Sequence, residues 1–414
     1  MKRDSLWHDK TILAICLGVV LLMAGQGFVM PILPKFVLML SVAPTQVGTM
    51  VGLAMSVFGI GRAVMNLPSA RIARLWGRRP LLILGPALVT VGALGCGLAI
   101  EYWQLLVFRL LQGLGSAAFT TATLIVMGEL STPSNRGRYM SFYWGSILIG
   151  VSLGPTLGGF VGQYLGCRVP FFCSAGLAFL STVWGYFRIP ETKGRKLTDV
   201  FTSNNLLSQS NSKKRAAPLY QDLSFILTCT VSFCILLTLS GNQMTLIPIL
   251  GYQYLNLVEG QVGLILALIF VVEFAFVFLA GGLSDKLGRK IIIVPGGIMA
   301  ALGLVLFTQS HSYWFLLLSG AMLGAGRGLS NPTATAYVVD IASVQDYEHT
   351  MALYRTVSDV GYVVGPILLG WLKDTRGLDF PFFLAAGLLL GAIILFAALA
   401  KGAVSHGRSR DMML

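Results

Sequence analysis

Apolar stretches of about 20 residues constrain this chain more than any other feature of its sequence. Residues 11–34, 81–100, 260–283 and 380–400 each contain at most one formal charge. A helix of about 20 apolar residues crosses the roughly 30 Å hydrocarbon core of a bilayer. Only 11% of the 414 residues are charged, which is too few for the water-exposed surface of a soluble enzyme. We therefore expect an all-α polytopic membrane protein.

Twelve segments are predicted to span the membrane, at about 11–38, 46–66, 80–98, 103–128, 139–163, 169–187, 221–248, 260–282, 291–309, 313–336, 351–372 and 380–400. An even number of spans places both termini on one side. The loops on that side contain 22 Lys and Arg residues, whereas the loops on the other side contain 3. Because positive charge is retained in the cytoplasm, we expect both termini to be cytoplasmic, in the cell's inner (plasma) membrane.

The chain is predicted to consist of two halves. Residues 1–187 contain the first six spans, 188–220 form a Ser-, Asn- and Lys-rich cytoplasmic linker, and 221–414 contain six further spans and a short tail. Matches at a fixed offset of 211 residues support this division: Gly77-Arg78-Arg79 with Gly288-Arg289-Lys290, Glu129 with Asp340, Gly150 with Gly361, Gly154-Pro155 with Gly365-Pro366, and Gly159 with Gly370. Two parallel halves with a substrate site between them are a transporter architecture.

The loop after span eight carries the most specific motif. It begins at Gly281 and places Asp285, Gly288 and Arg289 at the spacing G-x-x-x-D-K-x-G-R-K. This loop resembles the signature of the major facilitator superfamily, and the resemblance extends over nearly the whole chain. It implies twelve helices, transport by alternating access, and a loop that latches one conformation. The alternative is a loop that only anchors the chain through its positive charge.

The corresponding loop after span two departs from that signature. Gly77, Arg78 and Arg79 are present, but the aspartate position holds Arg74. We expect Glu129, at the end of span four, to supply the missing acid.

Span five has glycines four residues apart. Gly150, Gly154 and Gly158 form one face, and Pro155 and Gly159 complete the sequence G-x-x-x-G-P-x-x-G-G. Small residues at this spacing allow helices to approach closely in lipid, which is an explanation that holds for any function. The element also resembles the antiporter signature of the drug:proton antiporter branch, which implies exchange rather than symport.

An arginine within span four is a second link to those antiporters. Arg109 and Gln112 belong to Arg109-Leu110-Leu111-Gln112-Gly113, which resembles their R-x-x-Q-G motif. The resemblance implies a role for Arg109 in proton coupling, and an intramembrane arginine is expected to be functional in any case. The alternative is a structural arginine that bonds carbonyl groups of span one.

The remaining intramembrane charges provide candidates for proton coupling. Glu273 in span eight has no local partner in sequence and is the leading proton carrier, although a pair with Arg109 or Arg327 across the halves is an alternative. Asp359 is a further candidate, and its spacing from Arg355 allows the two to neutralise each other. Residues expected to line the substrate cavity are Gln26, Gln112, Tyr143, Trp144, Phe270, Arg327 and Tyr337, although most aromatic residues in such a chain simply pack.

These features favour a proton-coupled exporter of small lipophilic molecules or drugs. An uptake transporter for sugars or other organic solutes is the alternative, prompted by Pro190-Glu191-Thr192-Lys193-Gly194, which resembles a sugar-porter signature. A non-transporting sensor is a third possibility.

The chain lacks a Walker lysine motif, a GxSxG elbow and metal-ligand spacings, so we expect no enzyme activity, cofactor or metal. The expected partners are the substrate, protons and the lipid bilayer, with no nucleic acid, and the chain is expected to work as a monomer. Cys167 and Cys173 flank a short loop and are a candidate disulfide.

Overall fold

The computed structural model describes residues 2–131, 136–189, 222–310, 312–342 and 347–401. Nearly all of these residues are helical, and none forms a β-strand. Helices satisfy their own backbone hydrogen bonds, which lipid cannot do. The long helices are α1 (Lys2–Val29), α2 (Val47–Trp76), α3 (Arg79–Leu98), α4 (Tyr102–Leu130), α5 (Arg136–Leu165), α6 (Val169–Arg188), α7 (Leu223–Tyr254), α8 (Glu259–Leu287), α9 (Arg289–Thr308), α10 (Tyr313–Ile341), α11 (Tyr347–Arg376) and α12 (Asp379–Leu399). The predicted linker lies almost wholly outside the described residues.

The twelve described helices agree with the predicted number of spans, but several are longer than predicted. The stretch expected to be a loop at 67–80 is helical up to Trp76, and α8 continues to Leu287. The hydrophobic pattern marks only the part of a helix that lies in lipid, whereas its charged end remains helical in water. By length and composition alone, ten of the twelve are suited to crossing a membrane, and α10 and α11 are not.

The helices form two halves with the same packing pattern. In the first half α1 packs on α5 and α6, α2 on α4, and α3 on α4 and α6. In the second half α7 packs on α11 and α12, α8 on α10, and α9 on α10 and α12. Each contact is thus repeated six helices later, as the 211-residue offset predicts. The halves meet through α2 with α11 and α5 with α8.

Candidate functional site

The two halves are closed against each other where α2 begins and α11 ends. We call the side on which α1 begins and α12 ends the terminus side. The side on which α2 begins and α11 ends is the opposite side. Asp374 accepts hydrogen bonds from the backbone N–H groups of Gly48 (3.0 Å) and Thr49 (2.6 Å) and from the Thr49 hydroxyl (2.7 Å). A helix N-terminus favours a carboxylate in this position. A Cβ at Gly370 would collide with the Gly48 backbone, so the crossing requires a glycine.

A matching closure joins α5 to α8. A Cβ at Gly159 would collide with the carbonyl oxygen of Glu259, and a Cβ at Gly263 with that of Pro155. Beside this crossing, Lys35 Nζ donates a hydrogen bond to Glu259 Oε1 at 2.6 Å. The internal repeat relates this crossing to that of α2 with α11. Two equivalent contacts therefore seal the opposite side.

On the terminus side, no comparable crossing between the halves is found among the described residues. Among the described atoms, a Cβ at Gly145 in α5, or at Gly281 or Gly282 in α8, would meet none within 4 Å. In this conformation the close contacts between the halves are therefore on the opposite side.

The glycine face of α5 packs against α1. A Cβ at Gly154 would lie 2.5 Å from the carbonyl oxygen of Ala24 and 2.6 Å from the Cα atom of Gly27. In the second half, a Cβ at Gly365, next to Pro366, would lie 2.6 Å from the carbonyl oxygen of Leu237 in α7. The sequence element G-x-x-x-G-P-x-x-G-G thus serves two contacts, one within a half and one, through Gly159, between the halves.

Equivalent ion pairs lie at the terminus-side ends of α4 and α10. Arg78 forms an ion pair with Glu129 through Nε and Nη2. Arg289 Nε donates to Asp340 Oδ2 at 2.9 Å. Both pairs join residues 51 apart, and the repeat relates them. Glu129 is therefore the counterpart of Asp340, and the position of Asp285 in the first loop is still occupied by Arg74.

The turns that hold these arginines also match. Gly77 and Gly288 end α2 and α8 with φ of 102° and 101°, in a backbone region that favours glycine. In the second turn, Arg289 also contacts Asp285 at 2.5 Å and donates to the Ser284 hydroxyl at 2.7 Å. Asp285 therefore pairs with Arg289 within the second turn, and the same arginine binds Asp340 of α10.

The leading proton-carrier candidate is paired with Arg327, one of the two partners that the sequence offered as an alternative to an unpaired carboxylate. Glu273 forms an ion pair with Arg327 Nη2, and the two residues are 9% and 1% exposed. Both belong to the second half, on α8 and α10, so the pair does not cross the halves. The two residues are 54 positions apart, with α9 between their helices, so sequence spacing alone could not decide between Arg327 and Arg109.

A second group of charges faces across the halves. Arg62 on α2 and Arg355 on α11 lie within electrostatic range of the Asp359 carboxyl group on α11. Both arginines also lie within electrostatic range of the Tyr143 phenol on α5. No ion pair within 4 Å joins Arg355 to Asp359 in the described residues, so they do not simply neutralise each other. The cluster is thus built from residues of both halves.

Arg109 is buried without an acid. It is 6% exposed, and its only hydrogen bond within the described residues runs from Nη1 to Gln112 Oε1 at 3.5 Å. Nε and Nη2 are buried without a partner. The ring of Phe171 lies 5.9 Å from the guanidinium carbon, and the structure gives no bond to carbonyl groups of α1.

The other predicted cavity residues are divided between the interface and the core. Gln26 of α1 donates to the Ser116 hydroxyl at 2.8 Å, within the first half. Trp144 is exposed, whereas Phe270 is buried in the hydrophobic core. Tyr337 is fully buried between α10 and α12, and its hydroxyl donates to a backbone carbonyl just beyond α12 at 2.6 Å. Tyr337 therefore packs the second half, and we do not retain it as a cavity residue.

Sequence reasoning missed a polar irregularity in α7. Thr238–Leu246 is a π-helical segment, a form that is rare and often marks functional sites. Asn242 and Gln243 are fully buried there, and their side-chain amides have no partner in the described residues. Next to them, Met244 Sδ accepts a hydrogen bond from the Tyr362 hydroxyl at 3.6 Å. The run Ser-Gly-Asn-Gln in an apolar span was the available signal.

All six cysteines are free thiols, including Cys167 and Cys173. In the part of the chain that the structure describes, no group of three or more His, Cys, Asp or Glu residues is arranged to hold a metal ion.

Comparison with known proteins identifies the fold. The sequence profile of the Major Facilitator Superfamily matches residues 15–258 and 228–410. Multidrug resistance protein 2 of Bacillus subtilis is 23% identical over 396 residues, covering 94% of this chain and 95% of that protein. The class H tetracycline resistance protein of Pasteurella multocida is 22% identical, covering 88% and 89%. The crystal structure of a D-xylose-proton symporter has a TM-score of 0.76 at 16% identity, covering 95% and 98%.

Proposed function

Because the chain belongs to the Major Facilitator Superfamily, and is thus a membrane transport protein and not an enzyme, we propose that it exports small lipophilic molecules or drugs in exchange for protons. The Glu273–Arg327 ion pair carries this proposal. A carboxylate that is nine-tenths buried within a membrane helix is costly and marks a functional site. The relatives named for multidrug and tetracycline resistance support the drug-export part.

The transport cycle alternates between two closures. In the conformation described here the opposite side is sealed by α2 with α11 and α5 with α8. A proton that reaches Glu273 from the opposite side removes its charge and weakens its pairing with Arg327. A ligand shifts a conformational equilibrium only through its different affinity for the two states. Proton binding from the opposite side therefore favours return to the conformation described here after the substrate has left, and loss of the proton on the terminus side completes the exchange. Asp359 and Arg109 are the further groups proposed for coupling.

The proposal also includes the orientation of the chain in the membrane and its oligomeric state. The terminus side is the cytoplasmic side, in the plasma membrane, because its loops hold most of the Lys and Arg. Each chain is proposed to work as a monomer, since the site lies between two halves of one chain.

Flux in proteoliposomes with an imposed pH gradient tests the function. Lipophilic dyes and drugs that move against the proton gradient, with proton movement in the reverse direction, would support exchange. Sugar that moves together with protons would replace the proposal by the solute-uptake alternative. Binding of compounds without any flux would indicate a sensor.

Substitution at the carboxylate provides the matched test. Glu273→Gln keeps the shape of the side chain but cannot exchange a proton, so proton-driven flux should fall at least tenfold. Asp379→Asn alters an exposed carboxylate at the start of α12 and should leave flux unchanged. Full proton-driven transport by Glu273→Gln would remove Glu273 from the mechanism.

A further inference from the structure

We propose that the transported substrates are organic anions and that Arg109, with Arg62 beside it, binds their acidic group. The inference rests on the proposed transport function and specifies its substrate class. It follows from three observations: a buried arginine that no acid of the described residues pairs, two free donors on one edge of Arg109, and the close approach of α2 to α4.

The intramembrane charges do not balance. In the first half, Arg62 and Arg109 lie within spans, and Glu101, the sole acid between residues 10 and 128, lies in an opposite-side turn. In the second half the α8–α10 ion pair is neutral, which leaves Asp359 to face both Arg62 and Arg355. Arg355 is exposed and Arg62 is half-buried, so Arg109 is the buried positive charge that no acid of the described residues pairs. Arginine does not deprotonate in proteins, and a buried unpaired charge is costly, so binding of an anion beside Arg109 is favoured.

The free donors of Arg109 match an acidic group in shape. Nε–H and the Nη2 amino group lie on one edge of the guanidinium plane, and both are buried without a hydrogen-bond partner in the described residues. Two parallel donors at this spacing are the arrangement that binds both oxygens of a carboxylate. The opposite edge, at Nη1, contacts Gln112. The edge that remains free is therefore suited to a carboxylate or sulfonate.

Packing of α2 against α4 brings the two arginines together. A Cβ at Gly113 would lie 3.1 Å from the backbone nitrogen of Arg62, and a Cβ at Gly61 would lie 2.5 Å from the carbonyl oxygen of Leu110. Arg109 is one helical turn from Gly113 on α4. Arg62 therefore supplies a second positive charge near the first, and its own Nε is buried without a bond.

Tyr362 places this site at the interface between the halves. Its phenol belongs to α11 and lies within electrostatic range of both Arg62 and Arg109. A Cβ at Gly59 of α2 would lie 3.2 Å from the Tyr362 ring. A ligand that bridges the two arginines consequently contacts the surface that must separate when the opposite side opens. Binding there is coupled to the conformational change, as transport requires.

Equilibrium binding of two matched probes tests the substrate class. We would use purified protein and compare 1-pyrenebutyrate, which is an anion at pH 7, with the uncharged 1-pyrenebutanamide. The anion should bind the native chain more tightly. Arg109→Gln should weaken binding of the anion roughly 10- to 150-fold, the range for a hydrogen bond to a charged group, and leave the amide unchanged. Arg109→Lys keeps the charge but loses the two-donor edge. Its affinity for the anion should lie between those of the native chain and of Arg109→Gln.

Controls separate this proposal from the others. Arg71→Gln removes an exposed arginine of α2 and should change neither affinity, and thermal unfolding confirms that each variant is folded. Equal loss of both probes in a folded Arg109→Gln protein would overturn the anion site in favour of a structural role. Displacement of the probe by chloride or phosphate, with no flux of any organic anion, would show that an inorganic counter-ion fills the site and would also overturn it. Failure of the transport proposal is measured separately, as the absence of proton-driven flux for every anionic, neutral and cationic compound.

Discussion

The contact between Gly159 and the start of α8 makes a sharp prediction about the conformational equilibrium. In the state described here, a Cβ at residue 159 would collide with the carbonyl oxygen of Glu259 and lie 3.2 Å from the Cα atom of Gly260. Those atoms belong to the other half. Gly159→Ala should therefore disfavour the closed opposite side, while a state in which α5 and α8 separate relieves the collision.

The size of the effect follows from the packing. Adding a methyl group to a close-packed contact typically costs about 1–3 kcal/mol, which corresponds to a shift of roughly 5- to 150-fold in an equilibrium between two states. Alanine also favours a helix over glycine by up to about 1 kcal/mol, but this gain applies equally in both states. The net result is a population shift towards opening on the opposite side.

Pulsed electron paramagnetic resonance measures this shift as a distance. Spin labels at Tyr164 and Tyr254, which are 74% and 57% exposed near the opposite side, report the separation of the halves. Gly145→Ala is the matched control on α5 because its Cβ meets no described atom within 4 Å, and Gly154→Ala should lower thermal stability without a population shift because it contacts α1 of the same half. An unchanged distance distribution in folded Gly159→Ala, or an equal change in Gly145→Ala, would refute the reasoning.

Three further predictions follow from side-chain contacts. Arg327→Gln leaves Glu273 without its partner and should lower the free energy of unfolding by about 3–5 kcal/mol. The double variant with Glu273→Gln should lose less stability, and thermal unfolding of both proteins measures the difference. Exchanging the charges of Arg78 and Glu129 should restore part of the stability that each single reversal removes, and a coupling below about 0.5 kcal/mol in a double-mutant cycle would contradict the pair. Burial raises the pKa of the Cys167 thiol. Because the thiolate is the reactive form, maleimide labelling of Cys167 at pH 7 should be slow and should accelerate as the pH rises. Labelling as fast as that of an exposed cysteine would contradict this prediction.

Particular residues show how far sequence reasoning reached. The repeat at 211 residues predicted equivalent loops, and the structure adds that Arg78 with Glu129 and Arg289 with Asp340 are equivalent ion pairs. The sequence left Glu273 either unpaired or paired with Arg109 or Arg327 across the halves, and only the structure shows that Arg327 is the partner and that both residues belong to the second half. The π-helical segment of α7 was also missed, since hydrophobic length identifies a span but not the pattern of hydrogen bonds inside it.

Sequence by itself determined the number of helices, the division into two halves and the family resemblance. These properties depend on hydrophobic length, on charge in the loops and on motif spacing, all of which are local or repeat at a fixed offset. The tertiary structure alone decided which charges are paired, that the opposite side is closed, and that Arg109 has two donors without a partner. Such facts depend on how helices distant in sequence pack across the two halves, and in lipid that packing is governed by close contacts of glycines and by the pairing of buried polar groups.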